Sequence, residues 1–391
     1  MIDCSRFVSP VVIDLPPSGI RKFFDIVSKM HDVISLGVGE PDFVTPWHIR
    51  EACLDSLERG YTMYTSNQGL PELREEIAKY QKNWQGLNYD SDKEILVTVG
   101  VSEAADLAIR ALVMPGDEVL IPEPSYVSYV PCTIMSGGRP VQLQTTAENE
   151  FRLTPDDLLK GLTEKSKILI LPYPNNPTGG IMKKQDLEAL VDIIIKNDLY
   201  VISDEIYGEL TYDSTHVSIA TLPGMYERTL VLNGFSKAYA MTGWRIGYAC
   251  GNRSVIEAMN KIHQYTMLCA SIIGQMAAIE ALRHGEPEMR RMVENYDYRR
   301  RLILKGLKDI GLDCFEPRGA FYVFPSISVT GMTSEEFSEK LLFEEKVAVV
   351  PGNAFGSSGE GFVRCCYAAS ADNIEEALSR IGRFVAKYRD R

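Results

Sequence analysis

Short apolar runs rich in β-branched residues recur along this chain between stretches of helical periodicity, and that alternation restricts the fold more than any other feature. The runs are Ile95 to Val99, Glu118 to Ile121, Lys167 to Leu171, Tyr200 to Ser203, Thr229 to Leu232 and Ile246 to Cys250. Between them, Leu73, Ile77, Tyr80 and Trp84 fall on one helix face, and Leu187, Leu190, Val191 and Ile194 do likewise. Strands alternating with helices in this way read as an α/β fold with a mostly parallel sheet.

At 391 residues the chain is too long for one simple core, and two domains are expected. After about residue 285 the texture changes. A long charged helix pattern (Met289 to Ile310), a strand at Phe321 to Phe324 and a closing amphipathic helix with Ile374, Leu378, Ile381 and Phe384 read as a smaller α+β domain. The first ~40 residues are Pro-rich and weakly periodic, so they are expected to lie across another surface rather than fold alone. The boundaries that follow are an arm contributing to the small domain (1–45), a large domain (46–285) and a C-terminal small domain (286–391).

Charge and cysteine usage remove several classes of function. The net charge is −12, from 41 basic against 53 acidic side chains, so no broad positive field attracts nucleic acid or an anionic membrane. The N-terminal segment carries Asp3 and Asp14 and is broken at Pro10, Pro16 and Pro17, unlike a secretory signal, and no later apolar run is long enough to span a bilayer. Eight scattered cysteines without a C-x-x-C pair fit reduced thiols, and a cytoplasmic location is expected. Five histidines show no H-E-x-x-H or paired spacing, so no metal site is expected.

The chemistry concentrates in Gly234-Phe235-Ser236-Lys237-Ala238-Tyr239-Ala240-Met241-Thr242-Gly243-Trp244-Arg245-Ile246-Gly247-Tyr248. A lysine between a strand and a Gly-flanked turn, with a hydroxyl beside it and an arginine eight positions on, suits a ligand that carries a phosphate and an aldehyde together. Lysine forms a Schiff base with a carbonyl, and burial or nearby positive charge frees its amine to act as a base. Ser-Lys alone would read as surface. The full string resembles the S-K-x-x-x-x-x-G-x-R-x-G-Y signature of the class I/II (fold-type I) aminotransferases.

That resemblance implies pyridoxal phosphate (PLP) carried on Lys237, with Ser236 and Arg245 holding its phosphate. It also implies a seven-stranded, mostly parallel sheet flanked by helices in the large domain, and a small domain built from both chain ends. Ser203-Asp204-Glu205-Ile206-Tyr207, at a strand end, resembles the segment whose Asp pairs with the pyridine nitrogen and whose Tyr donates to the cofactor's phenolate oxygen, roles that pass to Asp204 and Tyr207. Alone, such a string is as well suited to capping a helix. Pro174-Asn175-Asn176-Pro177-Thr178-Gly179-Gly180 resembles the family's N-P-T-G turn, implying that Asn176 binds the cofactor's O3′ and the substrate carboxylate, and it also makes a tight βα turn.

Further segments fall in family order. Thr98 to Ala104 leads from a strand into a helix, where Val101 and Ser102 match the phosphate cradle, although a Ser N-cap reads the same. Tyr126 matches the aromatic stacked on the ring. Tyr64-Thr65-Ser66-Asn67-Gln68-Gly69-Leu70-Pro71-Glu72-Leu73-Arg74 resembles a stretch whose Tyr reaches the neighbouring subunit's phosphate, so Tyr64 implies a homodimer with shared sites. Gly359 to Arg364 resembles the strand whose Arg grips the substrate α-carboxylate, and Gly39 belongs to a loop lining the substrate pocket.

The implied activity is ping-pong transamination between an L-amino acid and a 2-oxo acid, with 2-oxoglutarate as the acceptor. A PLP-dependent carbon–sulfur β-lyase on the same scaffold is the rival, and a non-catalytic PLP-sensing regulator domain the distant one, since no basic recognition helix precedes the fold. The chain most resembles the bacterial aspartate, aromatic and N-acetyl-diaminopimelate aminotransferases, with Ser18-Gly19-Ile20-Arg21-Lys22-Phe23 and His263-Gln264-Tyr265 resembling the last. Some aspartate-specific relatives have a Lys where this chain has Ser102, so a bulky or acylated donor ranks above aspartate.

Overall fold

The computed structural model describes residues 2, 4–17 and 30–389, so the Ser18 to Phe23 segment lies outside the described residues. In chain order the strands are β1 (Ile34–Ser35), β2 (Ile95–Thr98), β3 (Glu118–Glu123), β4 (Arg139–Gln144), β5 (Ser166–Leu171), β6 (Tyr200–Asp204), β7 (Thr229–Gly234), β8 (Gly247–Cys250), β9 (Tyr322–Val323), β10 (Val347–Ala348), β11 (Val350–Pro351) and β12 (Val363–Cys366). Seven of them form one sheet in the order β2-β8-β7-β6-β5-β3-β4, parallel throughout except for β8, which runs against β2 and β7.

The expected runs became strands within one or two residues because each is buried on both faces, as a sheet covered by helices requires. Side chains alternate between the faces. Leu96, Ile168, Ile170, Ile202, Leu230 and Leu232 meet the helices Gly100–Leu112 and Arg253–Thr266, whereas Leu169, Leu171 and Val201 meet helix Lys184–Lys196 on the other side. Strand β4 was not anticipated. It lies on the sheet edge with most of its residues in contact with water, and its Pro140, which lacks an N–H, is tolerated there.

Helix Pro71–Gln85 opens with proline and closes on Gly86 at φ +74, and helix Glu286–Ile310 closes on Gly311 at φ +82. On the first, Leu73 and Ile77 are buried, but Tyr80 and Trp84 are only half-buried, donating to Glu209 and stacking on His216 respectively. No helix among the described residues is long and apolar enough to cross a membrane.

The C-terminal part builds a three-stranded antiparallel sheet, β11-β12-β9, against helices Ser334–Glu345 and Ala371–Tyr388, and β1 pairs in parallel with β10, drawing the N-terminal segment into it. A buried carboxylate fastens this part to the large sheet. Glu123, at the end of β3, accepts from Ser357 Oγ (2.7 Å), Ser358 N (3.2 Å), Ser358 Oγ (3.0 Å) and Gln142 Nε2 (2.6 Å). Truncating it strands those donors, so Glu123→Ala lowers stability by about 3 kcal/mol, read as a lower urea midpoint at unchanged slope.

Candidate active site

Five parallel strands of the sheet deliver their chemistry at one edge because each ends there, and the antiparallel β8 begins there. Helix Gly100–Leu112 starts beyond β2, Tyr126 follows β3, Asn176 follows β5, Asp204 ends β6 and Lys237 follows β7. Arg245 precedes β8. The sheet edge and the C-terminal part enclose a cavity of about 330 Å³.

Gly39, Val101, Ser102, Tyr126, Asn176, Asp204, Tyr207, Ser236, Lys237, Arg245 and Arg364 all line this cavity. Tyr64 does not: its side chain is 80% exposed on the outside of the chain. Among the lining residues given no role from the sequence are two tyrosines, Tyr129 and Tyr322. Both are buried, and a buried phenol needs a partner for its hydroxyl, which was the available signal.

One end of the cavity is built for an anion. The N–H groups that open helix Gly100–Leu112 have no carbonyl four residues behind them. Ser102 is the third helical residue rather than the cap. The cap position is Val99, whose N–H donates to Glu103 at 2.5 Å, and Glu103 in turn meets the buried His263 at 2.7 Å. Arg245 lies over this end, where Gly100 sits at φ +76 and an added Cβ would stand 2.5 Å from the Arg245 guanidinium.

Lys237 donates to the carbonyl of Gly39 at 2.7 Å, with its Nζ near the rings of Tyr207 and Phe321. Desolvation is the main cause of a pKa lowered to about 8, and the charges of Arg364 and Arg245 push the same way. Asp204 is raised to about 6, again chiefly by burial, although Tyr129 (2.7 Å) and the N–H of Ile206 (3.2 Å) donate to its carboxylate and favour the ionised form.

Asn175 organises its turn by accepting from Thr178, which leaves Asn176 facing the cavity. Asn176 accepts from Arg364 at 2.8 Å. Arg364 is 3% exposed, donates otherwise to the Gly37 carbonyl, and has a buried Nε with no partner. No carboxylate among the described residues pairs with it. A guanidinium buried without a counter-ion is poised for an anionic ligand.

An amine partly neutral near neutral pH, a buried carboxylate and two guanidinium groups suited to anions therefore share one cavity. The family model for aminotransferase class I and II matches residues 31–381. The chain is 52% identical over 383 residues (98% of this chain, 99% of the relative) to a putative aminotransferase, YugH, of Bacillus subtilis strain 168. It is 50% identical over 368 residues (93% and 95%) to an aspartate aminotransferase of Pyrococcus abyssi. The crystal structure of an aromatic aminotransferase from Pyrococcus horikoshii superposes with a TM-score of 0.90 at 45% identity, covering 94% of this chain and 99% of that one. Sequence, fold and cavity agree, and the chain belongs to the class I and II aminotransferases, enzymes that move amino groups from one carbon skeleton to another.

Proposed function

We propose that this chain transfers the amino group of an L-amino acid to a 2-oxo acid, with 2-oxoglutarate as acceptor, using PLP bound through Lys237. The carrying observation is the pairing, in one cavity, of an amine with a pKa of about 8 and a buried guanidinium that lacks a counter-ion. The residues fit the cofactor. Arg245, Ser236 and the helix start at Val101 and Ser102 would hold its phosphate, Asp204 its ring nitrogen, Tyr207 and Asn176 its phenolic oxygen, and Tyr126 its ring face. Bound PLP supplies an aldehyde that condenses with amines and a ring that accepts the electron pair left when a Cα proton departs.

The side chains do the rest. Arg364 takes the substrate α-carboxylate as a bidentate pair, with Asn176 steadying it, and so sets which face of Cα meets Lys237. Lys237 takes the Cα proton and would deliver it to the former aldehyde carbon of the cofactor, a double task suited to an amine that changes protonation state near pH 8. Asp204 keeps its charge against a cationic partner at the buried end.

In our reading the working unit is a cytoplasmic homodimer in which the exposed Tyr64 reaches the phosphate of the second copy's site. The segments 1–45, 46–285 and 286–391 act as arm, large domain and small domain; the pairing of β1 with β10 supports joining the first to the last. Among the described residues the cations lining the cavity are Lys237, Arg245 and Arg364, each already assigned, so the distal carboxylate of aspartate and that of 2-oxoglutarate would both need a partner outside this lining, and the ranking of a bulky or acylated donor over aspartate rests on Ser102 standing where some aspartate-specific relatives have a lysine.

Mixing loaded protein with an amino donor and no acceptor is expected to give one stoichiometric absorbance change and one equivalent of 2-oxo acid. Sustained release of pyruvate and ammonia from cystathionine would point to the lyase instead. A panel of donors read in this way ranks the substrates, and a clear preference for aspartate would reverse the expected order.

Loading has its own pH signature. Bond formation needs the neutral amine, and about one Lys237 in ten is neutral at pH 7, against about one in three thousand for an ordinary lysine. The rate at which apoprotein takes up PLP is expected to rise with pH and level off above about 8. A rate still climbing steeply at pH 10 would show an unperturbed amine.

A further inference from the structure

Three parts of the site converge on Tyr322, which has no role in the assignments above. Its side chain is 1% exposed, and it lies on β9 directly opposite Cys366 of β12. Arg364, two residues before Cys366, projects from the same sheet face, and its guanidinium sits 4.6 Å from the Tyr322 ring centroid. The Tyr322 hydroxyl is 2.7 Å from that of Tyr207. It also abuts Gly39, where an added Cβ would stand 2.3 Å away, and the Gly39 carbonyl holds the Lys237 amine.

Two phenols at hydrogen-bonding distance share one hydrogen, and whichever donates leaves the other's hydrogen free to point elsewhere. Among the described residues neither hydroxyl has another hydrogen-bond partner. For Tyr207 to donate into the cavity, Tyr322 must donate to Tyr207. We propose that Tyr322 is a positioning residue joining the two ends of the site: its hydroxyl turns the Tyr207 hydrogen toward the cofactor's phenolic oxygen, and its ring face fixes the Arg364 guanidinium for the substrate carboxylate. The inference rests on the roles read above for Tyr207 and Arg364.

Its consequences are separable. A chain of donors polarises, so Tyr322 strengthens the Tyr207 bond to the phenolic oxygen. With the cofactor bound, that oxygen would also accept from the Lys237 nitrogen, and the two bonds would compete. Weakening the Tyr207 bond lets the nitrogen keep its proton to higher pH. The ring acts instead on Arg364 and hence on donor binding.

The test uses holoenzyme. Tyr322→Phe keeps the ring, and the pH midpoint of the visible absorbance band is expected to move upward by about 0.3 unit, with KM for the amino donor within about twofold of wild type. Adding Tyr322→Phe to Tyr207→Phe is expected to move the midpoint no further, which a merely structural role for Tyr322 would not produce. Tyr322→Leu removes the ring as well, and KM for the donor is expected to rise about fivefold. An unmoved midpoint in Tyr322→Phe, an equal further shift in the double variant, or an unchanged KM in Tyr322→Leu each overturns the proposal. Borohydride labelling of the Lys237 peptide keeps the two levels apart: a labelled peptide with an unmoved midpoint removes only the role of Tyr322, whereas absence of label in the wild type removes the reading beneath it.

Discussion

Lys237→Ala is expected to turn over its amino donor about 10⁴-fold more slowly than wild type or worse, because on the proposed reading one substitution removes both the covalent anchor and the proton carrier. The protein should still fold, since Lys237 makes one hydrogen bond, to Gly39, and lies at the cavity wall. It should still take up PLP, more weakly, through the anion site formed by Arg245 and the opening of helix Gly100–Leu112. The decisive measurement is peptide mapping after borohydride reduction, which should find a modified Lys237 in wild type and nothing in the variant. Turnover near the wild-type rate would sink the assignment of this amine.

Asp204→Asn should slow single-turnover proton abstraction by about 10²- to 10³-fold while leaving PLP bound. The amide oxygen can accept from the Ile206 N–H while the Tyr129 hydroxyl rotates to accept from the amide N–H, so the geometry survives and only the charge facing the buried end is lost. The pH profile gives an independent reading. Burial raises Asp204 to about 6 in the cavity, and a cationic partner would pull it back down, so the wild-type rate should fall as pH drops and the carboxylate takes a proton. That acid limb should vanish in Asp204→Asn. Equal rates in the two proteins would remove Asp204 from the mechanism.

Most of the sheet was legible in the sequence because its strands are buried on both faces and read as unbroken apolar runs. The same rule explains the omission of Arg139–Gln144, an edge strand in which Arg139, Gln142 and Gln144 are exposed and only Leu143 is buried. The cavity lining was legible where a residue stands at a strand end or in a turn, as Asp204, Asn176 and Lys237 do, because short motifs around such positions resemble the family's and all three line the cavity. Tyr322 was hidden among Phe321, Val323 and Phe324, a run that reads as core, and Tyr129 opens a short helix three residues after Tyr126 with nothing adjacent to mark it.

The order of residues was thus enough to give the class of fold, which follows from hydrophobic period, and the resemblance of its short motifs was enough to point to Lys237 and to residues at the strand ends, which the structure brings to one cavity. Packing alone decided that Tyr322 would bridge Tyr207 and Arg364 across 115 and 42 positions of chain, that Asp204 would meet Tyr129, and that Lys237 and Asp204 would titrate near 8 and 6. Exclusion of water and the meeting of distant side chains arise only once the sheet edge and the C-terminal strands close around the same space.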